Sequence, residues 1–163
     1  MTTYRILVIF SLQFLSFSEC QAQNWISQQS GVSVTLTDID FVTDHFGCAV
    51  GDSGTILTSR NGGQTWSRVN SGTTSRLLSV HFVDTTLGWI SGRAGALLKT
   101  TDGGQNWNIQ TVQVWDYWEV YFPSRDTGYL VTGAQAEQVY GRVFRTTNAG
   151  LSWDTTTGLN DGG

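Results

Sequence analysis

The sequence predicts an all-β chain of four-stranded antiparallel blades, about three of them, forming part of a β-propeller. Three observations carry this. Tryptophans recur at Trp25, Trp66, Trp107 and Trp153, spaced 41, 41 and 46 residues apart. The last three are each preceded by a similar turn-forming stretch: "SRNGGQTW", "TTDGGQNW" and "TTNAGLSW". Between these turns run short apolar segments divided by Gly and Asp, with no helical periodicity. A period in the low forties with such punctuation is the mark of propeller blades, which bury their faces only against neighbouring blades.

The first 22 residues stand apart from the repeat. Arg5 supplies a positive start, Ile6 to Phe17 is an apolar run of 12 residues, and Cys20 and Ala22 are small residues placed for cleavage after Ala22. This layout reads as a secretory signal peptide, and the run is too short for a membrane-spanning helix. The reading divides the chain into a signal peptide, 1–22, and a partial propeller, 23–163. It places the mature protein outside the cytoplasm (periplasm, cell surface or medium) with no membrane insertion.

Each unit then reads as four strands. In the second copy the inner strand runs from Leu77 to Val83, the second from Gly88 to Gly92 and the third from Ala96 to Thr100; the outer one begins at Trp107. The register is visible in all copies. Ile39-Asp40-Phe41-Val42 returns as Val80-His81-Phe82-Val83 and as Val120-Tyr121-Phe122-Pro123. Gly47-Cys48 returns as Gly88-Trp89 and Gly128-Tyr129. Apolar runs this continuous suit sheets covered on both faces. The extra length of the third copy, "AQAEQVY", widens one loop over 134–140.

The turn before each outer strand has the form Ser/Thr-x-Asp/Asn-x-Gly-x-x-Trp. It comprises Ser59, Asn61, Gly63 and Trp66; Thr100, Asp102, Gly104 and Trp107; and Thr146, Asn148, Gly150 and Trp153. Hydroxyl and Asx side chains at this spacing can bond backbone N–H groups within the turn, and glycine supplies a positive φ. Burying the indole pins the turn to its sheet, contributing on the order of 2 kcal/mol or more. The chemistry is conformational. Asp102 occupies a place where the other copies carry Asn, and an amide cannot act as a general acid.

Stretches of this form are identified as Asp boxes, or bacterial neuraminidase repeats. The line "LLSVHFVDTTLGWISGRAGALLKTTDGGQNW" (77–107) resembles a blade of the photosystem II stability/assembly factor type of propeller. The resemblance spans about residues 25–153. It implies a propeller fold and a non-enzymatic role in binding protein partners through an arginine-bearing surface. Asp-box propellers also include sialidases, xyloglucanases and sortilin-like receptors, so a fragment of a secreted glycoside hydrolase or glycan-binding protein is the alternative.

Composition narrows the remaining classes. The net charge is −4 and the nine basic residues form no tract, which disfavours nucleic acid and anionic membrane as partners. After cleavage only Cys48 remains, so no internal disulfide can form; it reads as a small buried hydrophobe. The two histidines, His45 and His81, lie far apart in sequence with no ligand spacing, so no metal or cofactor is expected. "GDSG" at 51–54 matches the surroundings of a serine-protease nucleophile. One repeat later it becomes "GRAG", with Ala94 in place of Ser53, so it reads as a hairpin turn. Neither an arginine trio with a tyrosine–carboxylate pair nor a distinct pair of aspartates points to a glycosidase site, and no catalytic residue is assigned.

The surface expected to meet a partner is the rim formed by the second-to-third-strand turns and the links between blades. It would carry Arg76, Arg93, Asp116, Tyr117, Tyr140 and Arg142, together with the loop 134–140. Arg and Tyr are the residue types enriched at interfaces. Three blades cannot close a ring, so the sequence predicts a fragment of a larger propeller, with self-association as the alternative.

Overall fold

The computed structural model describes residues 27–112, 116–133 and 141–155. The predicted signal peptide, Trp25, Tyr140 and the widened loop 134–140 lie outside the described residues. The first sheet comprises β1 (Leu36–Phe41), β2 (Gly47–Gly51), β3 (Thr55–Ser59) and β4 (Ser67–Val69). The second comprises β5 (Leu77–Phe82), β6 (Gly88–Gly92), β7 (Leu97–Thr100) and β8 (Asn108–Ile109). The third comprises β9 (Tyr117–Tyr121), β10 (Gly128–Thr132), β11 (Val143–Thr146) and β12 (Asp154–Thr155). Each is an antiparallel meander with strands in sequence order. These are three blades of an incomplete β-propeller. Among the described residues there is no α-helix, only a single 3-10 turn at Asp52–Gly54.

The repeat fixes the sheets through one recurring cluster. Phe41 lies opposite Gly47 and Phe82 opposite Gly88 across the first two strands of their sheets. A Cβ on Gly47, Gly88 or Gly128 would strike the ring of Phe41, Phe82 or Phe122 respectively, so each glycine makes room for a phenylalanine. Each ring then meets the tryptophan of its own Asp box edge-on. The centroid separations are 5.9 Å for Phe41–Trp66, 5.8 Å for Phe82–Trp107 and 5.8 Å for Phe122–Trp153. Inner strand and outer turn are thereby clamped together at one end of every blade.

Between blades the faces interdigitate. Val50, Ile56, Val80, Ile90 and Leu98 fill the space between the first and second sheets. Trp89 and Leu97 meet Val120, Phe122, Leu130 and Phe144 between the second and third. Trp89 stacks nearly parallel on Phe122, with centroids 4.7 Å apart and 6° between planes. Cys48 is fully buried in the first of these clusters. Burial and the carboxylates of Asp40 and Asp38 push its thiol far above the usual range, so it stays protonated and inert.

Polar links also run from each inner strand to the next. The Asp38 carboxylate accepts from Val80 N–H at 2.9 Å, and Asp40 from Phe82 N–H at 2.7 Å. The Thr37 hydroxyl, on an irregularity in the β1 register, donates to the Leu77 carbonyl at 2.7 Å. His81 Nε2 lies 3.0 Å from the Phe122 carbonyl. These side chains satisfy backbone groups that face away from their own sheet.

Candidate partner-binding rim

Two kinds of turn meet at opposite ends of the blades. One end carries the Asp boxes and the first-to-second-strand turns, tied by Gly62 N–H to the His45 carbonyl and Gly103 N–H to the Thr86 carbonyl, both at 2.9 Å. In every box the Ser or Thr hydroxyl accepts from the glycine N–H, at 2.9 Å for Ser59–Gly63 and 3.0 Å for Thr100–Gly104 and Thr146–Gly150. The same hydroxyl donates to the Asx oxygen, at 3.0, 2.8 and 2.9 Å in turn. That oxygen in turn accepts from backbone N–H groups further along, as Asp102 does from Gln105 and Asn106, both at 3.0 Å. Backbone and side-chain bonds from Asn106, with one from Thr100, hold the Asp102 carboxyl at a pKa of about 2. A carboxylate so engaged is a structural acceptor.

The boxes also join neighbouring blades. Arg60 donates to the Gly103 carbonyl at 2.9 Å, and Lys99 to the Ala149 carbonyl at 2.8 Å. Lys99 Nζ sits 4.8 Å above the Trp89 ring. Burial lowers the Lys99 pKa.

The other end carries the second-to-third-strand turns and the links between blades, and the structure ties Arg76, Arg93 and Asp116 into one chain of contacts. Arg76 Nε pairs with Asp52 Oδ1 of the preceding blade at 2.9 Å. The Arg76 carbonyl accepts from Arg93 N–H at 2.9 Å. The neighbouring Ala94 N–H donates to Asp116 Oδ1 of the third blade, again at 2.9 Å. Arg142 stands exposed at the start of β11, its N–H on the Thr132 hydroxyl at 3.0 Å. Arg76 and Arg93 are likewise exposed.

Tyr117 is a correction. It is fully buried in the core between the second and third blades, edge-on to Phe144, and offers nothing to a partner. Its repeat counterpart Leu77 is equally buried. Two contributors to the rim were not singled out in the sequence. Asp52, read only as a variable turn residue, fixes the Arg76 guanidinium. Trp118 is exposed, with its indole over Gly133 at the neighbouring hairpin; its repeat counterparts Thr37 and Leu78 give no hint of an aromatic.

The hairpin at 51–54 has no catalytic geometry. Ser53 is exposed and takes a left-handed conformation (φ 56°), as does Ala94 (φ 54°) in the next blade. Gly54 N–H bonds the Ser75 carbonyl at 2.9 Å. His45 sits with the Asp boxes at the other end, and His81 is engaged with the Phe122 carbonyl, so neither serves Ser53. Among the described residues no group of three His, Cys, Asp or Glu side chains could hold a metal ion.

The sequence model for the photosynthesis system II assembly factor YCF48 matches residues 17–161. The chain belongs to the YCF48 family. Among solved structures, it is similar to YCF48 bound to D1 peptide, with 29% identity over 75% of this chain and 40% of that one, and a TM-score of 0.65. YCF48 from Cyanidioschyzon merolae gives 26% identity, 75% and 39% coverage, and the same TM-score of 0.65. An ancestral GH74 enzyme shares the fold alone, at 21% identity over 78% of this chain and 21% of its own, TM-score 0.61. No curated protein matches the chain significantly. The chain therefore spans about two fifths of the length of the YCF48 structures it matches.

Proposed function

We propose that this YCF48-family chain is an exported, non-enzymatic scaffold that binds a protein segment across its arginine rim during photosystem II assembly. The observation that carries the reading is the continuous rim of Asp52, Arg76, Arg93 and Asp116, with Arg142 one hairpin further on. It presents guanidinium groups from successive blades at one end of the molecule. A guanidinium pairs most strongly with carboxylates and backbone carbonyls, which suits an extended peptide that carries acidic groups or its own C-terminus. The choice of a photosystem peptide as ligand is supported by the related YCF48 structure bound to D1 peptide. Export rests on the apolar stretch before residue 22.

The test is a titration of a fluorescent D1 peptide with the wild-type chain and with R76E, R93E and R142E. Each reversal on the rim is expected to weaken binding at least tenfold, about 1.4 kcal/mol. R68E changes an exposed arginine on the outer strand β4 and should leave affinity unchanged. Equal affinity for all four variants would overturn the proposed surface.

A further inference from the structure

Asparagine followed by glycine is chemically labile, because the next peptide nitrogen can attack the side-chain amide and glycine has no Cβ to obstruct it. The sequence holds one such pair, Asn61-Gly62, in the Asp box of the first blade. Once deprotonated, Gly62 N bonds to Asn61 Cγ, the Cγ–Nδ2 bond breaks and ammonia leaves, giving a succinimide. Water then opens the ring. Addition at Cγ leaves aspartate; addition at the main-chain carbonyl leaves isoaspartate, whose backbone runs through the former side chain.

The folded box engages both reacting groups. Gly62 N–H is donated to the His45 carbonyl at 2.9 Å. Asn61 Oδ1 accepts from the Ser59 hydroxyl and from Thr65 N–H, both at 3.0 Å, and Nδ2 donates to the Thr65 hydroxyl at 2.9 Å. Turning the amide onto Gly62 N breaks these bonds together, so the reaction waits for the box to open. The third blade offers a comparison within the same chain. Asn148 makes the equivalent bonds to Thr146 and Ser152, and Ala149 N–H bonds the Asp126 carbonyl at 2.9 Å. There the following residue carries a methyl group that hinders attack.

The second blade shows what one product would do. Asp102 stands in the place of Asn61, accepting from the Thr100 hydroxyl at 2.8 Å and from Asn106 N–H at 3.0 Å. An aspartate at 61 finds the same two partners in Ser59 and Thr65. Isoaspartate instead lengthens the main chain between Ser59 and Gly63, which the box joins at 2.9 Å, and shifts Gly62 from His45.

We propose that Asn61 is a deamidation site, latent in the folded chain and released when the first Asp box opens, with aspartate tolerated there and isoaspartate disruptive. The experiment ages the full chain at mildly alkaline pH, folded in buffer and unfolded in guanidinium chloride, and maps peptides around Asn61 and Asn148 for aspartate and isoaspartate. In denaturant Asn61 should be lost, chiefly to isoaspartate, while Asn148 persists. Loss of Asn61 in the folded wild type should be at least about tenfold slower. S59A removes the hydroxyl that holds Oδ1, and T65V removes the acceptor of Nδ2 at an exposed position where the fold is kept. Both should speed the loss in native buffer. N61D should keep the wild-type urea midpoint, whereas chain refolded with isoaspartate at 61 should unfold at lower urea. Equal loss in folded and unfolded chain, Asn148 lost as fast as Asn61, or a folded T65V no faster than the wild type overturns the proposal. So does an N61D midpoint as low as that of the isoaspartate chain.

Discussion

Replacing Thr100 by Val isolates what the Asp-box hydroxyl contributes. Valine has nearly the same shape, so the fully buried site keeps its packing while three hydrogen bonds disappear. One is accepted from Gly104 N–H at 3.0 Å, a longer one from Asp102 N–H at 3.3 Å, and one is donated to the Asp102 carboxylate at 2.8 Å. Gly104 is itself buried, so its N–H is left without a partner, and such a loss costs about 1–3 kcal/mol. The exposed Asp102 carboxylate keeps its bonds from Gln105 and Asn106. For a chain of this size the cost corresponds to a fall in Tm of about 3–10 °C. Urea unfolding followed by tryptophan fluorescence reads it as a lower midpoint at unchanged slope. The Asp102 pKa should rise in the same variant, because the Thr100 hydroxyl is one of the groups that lower it. A change below about 0.5 kcal/mol, the level of a neutral surface substitution, would refute the assignment of the hydroxyl as the organising group of the turn.

Two further outcomes follow from the same geometry. Gly150→Ala places a Cβ against the Trp89 ring at a φ of +78° and should cost at least about 2 kcal/mol in thermal unfolding. Gly72→Ala, with a similar φ of +71° but only an ordinary contact, Ile109 Cδ1 at 3.8 Å, should cost only about 1 kcal/mol. Acid should destabilise the fold within a defined window. The Thr86 hydroxyl, with backbone N–H groups of Thr86 and Leu87 and the Arg125 guanidinium, holds Asp84 at about 2; Asn106 does the same for Asp102. Folded values below the ordinary 3.8 mean that this stabilisation is complete above about pH 5 and is lost as pH falls through about 2. Urea midpoints measured between pH 7 and pH 2 should be flat above pH 5 and fall below pH 4, and Asp84→Asn should shallow the fall.

The strands were legible because each is bounded by residues with a steric reason to be there. Gly88 to Gly92 was placed to the residue, since one end must accommodate Phe82 and the other the backbone at Arg76, whose carbonyl would lie 2.5 Å from a Cβ on Gly92. The Asp boxes were legible because their bonds are local, within four residues. What crosses between blades was not. The grip of Asp38 and Asp40 on Val80 and Phe82 spans 42 residues, and no single-sequence pattern reports it. Tyr117 differs for a related reason: as an aromatic after Asp116 it reads as loop, whereas the structure puts it at the start of the inner strand, level with the buried Leu77. The repeat register shows that Arg76, Arg93 and Arg142 lie in links and hairpins at one end of the blades, but the Arg76–Asp52 pair depends on a side chain from the preceding blade.

The inner-strand side chains that hold the following blade hydrogen-bond to its main chain: an amide hydrogen at Val80 and Phe82, a carbonyl oxygen at Phe122. Peptide groups are the same in every copy, so these hydrogen bonds place no demand on the side chain at their target, and the gripping residue answers only to its counterparts in the adjacent blades, as Asp40 does to His81 at 3.9 Å. Asp40, His81 and Tyr121 differ at this one position. A gene encoding such a unit can be duplicated and its descendants altered while the main-chain part of the fit is kept.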